Sequence, residues 1–137
     1  MIKEFKRDIS SLNDIFEYVS AFIDQHEIDD ATAYTLNLAV EEVFTNLVKY
    51  DPDAAEAIPV DLSLNGKEIR IELTNHGGHE FNLVEQPPVD TNIPLRDRRI
   101  GGLGLHLVRQ MVDDISYQYV GGTSIIRIVK FLEDSRV

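Results

Sequence analysis

The chain has 137 residues, 43% of them hydrophobic, with 13 Lys+Arg against 24 Asp+Glu for a formal net charge of −11. That fits a single domain over residues 1–137 and argues against a nucleic-acid or anionic-membrane surface, because phosphate backbones are held by fields of Lys and Arg. The absence of cysteine removes disulfides, zinc–thiolate sites and thiol catalysis, and with no apolar run near the ~20 residues of a membrane span and no signal-peptide stretch at the start, a cytoplasmic protein is expected.

In chain order, residues 2–9 read as a short edge strand, and Ser11 with Asp14 resembles a capping box opening a helix. Leu12, Ile15, Phe16, Val19, Phe22 and Ile23 recur at helical spacing to about Gln25, which predicts an amphipathic helix. Asp29 or Asp30 caps a second helix that runs to about Tyr50, with Leu36, Ala39, Val40, Val43, Leu47 and Tyr50 on its apolar face and Pro52 as its stop. Two alternating runs, 60–64 and 69–73, flank Asn65-Gly66 and predict an antiparallel hairpin. From His76 to Ile100 no period survives among Gly77, Gly78, Pro87, Pro88 and Pro94, and so long a connection reads as a lid. A third helix over 103–114 leads into a second hairpin, 115–120 and Thr123–Phe131, around Gly121-Gly122. The order β, α, α, β, β, lid, α, β, β predicts a two-layer α/β sandwich: a mixed, mostly antiparallel sheet with helices on one face.

The chemistry is concentrated on the second helix. Glu42 and Asn46 are four residues apart, and at about 100° per residue they project side by side along the edge of an otherwise buried face. A carboxylate there can orient or deprotonate an attacking hydroxyl, and an amide oxygen can complete the oxygen shell of a Mg²⁺ held by phosphates. Downstream, Ile100-Gly-Gly-Leu-Gly-Leu-His-Leu-Val108 is a glycine-rich turn into a helix, suited to hold phosphate.

Glu42-x-x-x-Asn46, the strand end Leu73-Thr-Asn-His-Gly77, the turn Gly102-Leu-Gly-Leu105 and the late Gly122-Thr123 together resemble the boxes of the Bergerat-fold ATPases, the superfamily of DNA gyrase, the MutL proteins and sensor histidine kinases. Within it, Ala39-Val-Glu-Glu-Val-Phe-Thr-Asn46 and the short length most resemble the anti-sigma factor serine kinases. The resemblance spans essentially the whole chain. It implies ATP and Mg²⁺ as cofactors, Glu42 as general base for a serine hydroxyl and Asn46 as the metal ligand. It further implies that Asn75 and Gly77 lie at the adenine, that Gly102, Leu103, Gly104 and Leu105 lie at the phosphates, and that Thr123 supports the adenine side. Arg96, Arg98 and Arg99 are the cations best placed to meet phosphate, with Arg99 taken as the contact. The implied partners are a sigma factor and a small STAS-type anti-sigma factor antagonist, which the protein, as a homodimer, would phosphorylate; neither nucleic acid nor membrane is implied.

One departure stands out. The family carries Asp where this chain has Asn75, which loses the charge-assisted part of the bond to the adenine amino group, roughly half its strength. The family's frequent His is Tyr50 here. A second reading follows from Asn75: a catalytically weak ATP-binding module that regulates by binding alone. A third, the ATP-binding domain of a histidine kinase standing alone, lacks the usual pair of preceding helices. Read as structure only, the Glu/Asn pair is a solvated helix edge, the arginines a charge cluster with Asp97, Thr123 a hairpin residue, and His76-x-x-His79 a loop.

Overall fold

A computed structural model describes residues 1–50, 56–76 and 102–132. The expected lid, its arginines, Gly77 and Pro52 lie outside the described residues. Within them the order is β1 (Ile2–Phe5), a 3-10 turn (Ile9–Ser11), α1 (Leu12–Gln25), α2 (Asp30–Tyr50), β2 (Ile58–Asn65), β3 (Glu68–His76), α3 (Gly102–Met111), β4 (Asp114–Val120) and β5 (Thr123–Phe131). The strands form one sheet in the order β1-β2-β3-β5-β4. Every pairing is antiparallel, so the sheet is not mixed: each neighbouring pair is a hairpin or a return across the sheet, and no parallel crossover is present among the described strands.

Burial alternates strictly on β3, with Ile69, Ile71, Leu73 and Asn75 on its buried face, and along β5 as far as Ile128, with Ser124, Ile126 and Ile128 on its buried face and Val129 buried as well. Against that face pack Ile15, Val19 and Phe22 of α1, Leu36, Val40, Val43, Phe44 and Leu47 of α2, and Leu105 and Val108 of α3, in one cluster. Removing a side chain of this size from water stabilises the fold by about 1.5–3 kcal/mol. The other face of the sheet is polar, with Arg127 to Glu72 at 3.0 Å and Arg70 to Glu68 at 3.1 Å, half-exposed pairs of the kind that contribute little to stability.

Five local expectations shift or are decided. The first strand stops at Phe5, because Lys6–Asp8 turns into the 3-10 segment, where the Asp8 carboxylate accepts from the Ser10 N–H at 3.0 Å. Ser11 makes no side-chain cap and instead donates to the Lys6 carbonyl at 2.8 Å. Phe16 is 52% exposed, while Tyr18, unread in the apolar stripe, is buried with its hydroxyl 2.6 Å from the Met1 carbonyl and 2.8 Å from that of Val60. Burial and the nearby Asp61 charge push the Tyr18 phenol up to about 12. The first hairpin turns on Gly66 and Lys67, since Asn65 still pairs with Glu68 and Gly66 takes a φ of 62°. Asp29, not Asp30, caps α2: it accepts the Thr32 N–H at 3.0 Å, and hydrogen bonding from the Thr32 side chain and then its N–H holds its carboxyl below the usual carboxylate range.

Candidate active site

On α2 the apolar face turns toward the sheet and α1, and Glu42 and Asn46 stack along its border one turn apart. Asn46 is only 1% exposed. Its Nδ2 donates to the Glu42 carbonyl at 2.6 Å and to Glu42 Oε1 at 3.1 Å. With both donations made through nitrogen, the amide turns its oxygen away from Glu42, as a neutral hard ligand for Mg²⁺ must be turned. The residues therefore fit the metal in one respect the structure can test. Among the described residues no group of three His, Cys, Asp or Glu forms a metal cluster.

Glu42 is half-buried, and burial raises its carboxyl above the usual glutamate value, against the opposing hydrogen bond from Asn46 and the charge of Lys49. A carboxylate made more basic and held by a neighbouring amide is a suitable proton acceptor.

At the end of β3, Asn75 is 4% exposed. The register sets it opposite Ser124 and sets His76 opposite Thr123. Because faces alternate along a strand, Thr123 lies on the polar face, its Oγ1 3.5 Å from His76 Nδ1, and the hydroxyl beside Asn75 belongs to Ser124. Ser124 is 3% exposed, and its Oγ is 3.3 Å from the Tyr117 hydroxyl. Sequence reasoning passed over Ser124 and Tyr117; the available signal was the strand parity set by the Gly121-Gly122 turn.

Arg7 was also missed. Its Nη2 donates to Asn75 Oδ1, Nη1 to the Leu47 carbonyl at 3.4 Å, and Nε to the Glu56 carbonyl at 3.1 Å. One guanidinium thus spans from the residue after Asn46 to Asn75, bringing the α2 pair and the β3 end into one neighbourhood. Gly102 opens α3, so Gly102, Leu103 and Gly104 form its first turn, whose N–H groups point out of the helix as an anion site requires. Leu105 is 4% exposed and belongs to the core. Gly77 and Arg99 lie outside the described residues, and no helix among those described is long and apolar enough to cross a membrane.

Residues 5–130 match the family model of the histidine kinase-like ATPase domain. Similar curated proteins are the serine-protein kinase RsbW of Listeria monocytogenes, 29% identical over 107 residues covering 74% of this chain and 68% of that protein. The serine-protein kinase RsbW of Halalkalibacterium halodurans is 26% identical over 105 residues, covering 74% and 64%. Among solved structures, the RsbU and RsbW domains of a Mycobacterium tuberculosis protein superpose with a TM-score of 0.69 at 14% identity, covering 96% of this chain and 32% of that one. The Acinetobacter baumannii histidine kinase AdeS gives 0.56 at 14% identity, covering 98% and 68%; at such identities these two speak to the fold alone. With its glutamate–asparagine helix, strand-end amide and glycine-opened helix in the order the motifs predicted, the chain belongs to the histidine kinase-like ATPase domain family.

Proposed function

We propose that the protein is an ATP-dependent protein serine kinase that acts as an anti-sigma factor, sequestering a sigma factor and phosphorylating a small STAS-type antagonist. The observation that carries this reading is the Glu42–Asn46 pair, in which Asn46 Nδ2 lies 3.1 Å from Glu42 Oε1 and the carboxyl is made more basic by burial. Similarity to the RsbW serine kinases supports the reaction class.

In the reaction, the substrate serine Oγ attacks the γ-phosphorus of ATP, its proton passes to the Glu42 carboxylate, and the bond from the γ-phosphorus to the bridging oxygen breaks to leave ADP. Mg²⁺, when bound, neutralises charge on the phosphates. Asn46 orients Glu42 through Nδ2 and offers its oxygen to the metal. The first turn of α3 holds phosphate through main-chain N–H groups, and Asn75 with Ser124 receives the base. As a homodimer the protein would use the apolar surface of Ile2, 66% exposed on the edge strand β1, and of Phe16 on α1.

A second reading, an ATP-binding module with weak catalysis, is favoured by one observation: Asn75, already uncharged, carries the Arg7 guanidinium on its oxygen. Calorimetry with Mg-ATP, paired with the intact mass of a candidate antagonist before and after incubation, separates them. Binding with one phosphate added supports the kinase, binding without it supports the module, and no binding rejects the site.

A further inference from the structure

We propose that Arg7 is a positioning residue for the base-binding end of the nucleotide site, fixing the orientation of Asn75 and tying it to the helix turn that carries Asn46. The inference rests on the nucleotide-site reading above and adds to it a residue from the other end of the chain.

A primary amide has an oxygen face and an NH₂ face, and on a buried Asn the choice between them decides which base atoms can be met. A guanidinium only donates. Arg7 Nη2 on Asn75 Oδ1 therefore sets the amide with its oxygen toward Arg7, through a charge-assisted bond roughly twice as strong as a neutral one. At 4% exposure Asn75 has little room to rotate.

Arg7 is itself held by the Leu47 carbonyl at 3.4 Å and the Glu56 carbonyl at 3.1 Å, so its position depends on α2 and on the chain entering β2. Leu47 follows Asn46 directly. One side chain thereby bridges the metal-and-nucleophile end and the base end of the site. Where Asp occupies the strand end, the fixed charge is on that residue; here the charge at this position is that of Arg7, 68 residues away in sequence.

The alternative is that Arg7 only staples carbonyls and adds general stability. The two differ in which ligand feels the change. ATP engages both ends of the site, whereas inorganic tripolyphosphate engages only the phosphate end.

The test is calorimetry on the full chain with Mg-ATP and with Mg-tripolyphosphate. Arg7→Met, which keeps the stem and removes the donors, is expected to weaken Mg-ATP about tenfold and to leave tripolyphosphate within about twofold. In an Asn75→Ala background, Arg7→Met is expected to change ATP affinity by less than about twofold, because the amide it orients is gone. Arg7→Lys, which retains charge and a donor, should recover part of the affinity, and it carries the same comparison if the Met variant fails to fold. Equal weakening of both ligands, unchanged or tighter ATP binding by Arg7→Met, or full additivity with Asn75→Ala overturns the proposal while leaving the nucleotide site intact. Wild-type protein that binds neither ligand overturns the site reading and this inference with it.

Discussion

The two ends of the site are built in opposite ways. Glu42 and Asn46 are four residues apart on one helix and bond to each other directly, so their relation survives wherever α2 is helical. Asn75 depends on Ser124 through the register of β3 with β5 and on Arg7 across 68 residues, so its setting exists only in the finished fold. The reactive end is thus local and tolerant, and the base end is global and fragile. In the proposed reading, chemistry falls to a rigid element and recognition to one that reports the state of the whole sheet.

The largest expected effect strikes the local end. Glu42→Gln should lower phosphotransfer by about 10²–10⁴-fold, the usual worth of a positioned general base, while Mg-ATP binding measured by calorimetry persists; a transfer rate equal to wild type would remove the assigned base. Next, Asn46→Ala should weaken nucleotide binding by about tenfold or more in the presence of Mg²⁺ and much less in EDTA. An equal loss in both conditions would remove the amide from the metal. At the global end, Asn75→Asp should tighten Mg-ATP by about three- to tenfold, because one carboxylate oxygen can pair with Arg7 while the other accepts from the base. Weaker binding would displace Asn75 from the base.

The smallest effect concerns stability. Burial raises the Glu42 carboxyl above 4.5, so the folded state holds that proton more tightly than the unfolded chain does. Its contribution is complete below about pH 4.5 and is lost as pH rises through the raised folded value. Glu42→Gln, which cannot ionise, should therefore unfold at a higher temperature than wild type at pH 7 and at the same temperature near pH 4. Thermal scans at the two pH values check the sign, and a variant less stable at pH 7 would contradict it.

The same division decides what could be read from the chain. The Glu42–Asn46 pair, the amphipathic helices and both hairpins are written in short-range spacing, and the structure keeps them nearly where the spacing put them. Thr123 against Ser124 turned on a single residue of register, and because side chains alternate with period two, a one-residue difference exchanges the two faces of the sheet. Arg7 gave no signal, since nothing near it in sequence indicates that its partners lie at Leu47, Glu56 and Asn75. Phe16 was placed on the apolar stripe because its spacing allows it, yet the packed face of α1 is centred on Ile15, Tyr18, Val19 and Phe22. The sequence makes Asn75 a weakened acceptor, and the cation that accompanies it, Arg7, meets it only in the folded chain.

Gly121 and Gly122 link β4 to β5 with φ values of 58° and 82°, both in the left-handed region. That bend works as the gauge for the β4–β5 pair: Val120 meets Thr123 across it, and every later rung between these two strands is counted from there. Lengthening the bend by one residue would disturb β4 against β5 first, because the register of β5 on β3 is held by Ile126 and Ile128 in the core. A slip of β5 itself would exchange Ile126 and Ile128 for Ile125 and Arg127 on the inner face, so the packed interior guards the Asn75–Ser124 rung more firmly than the bend does.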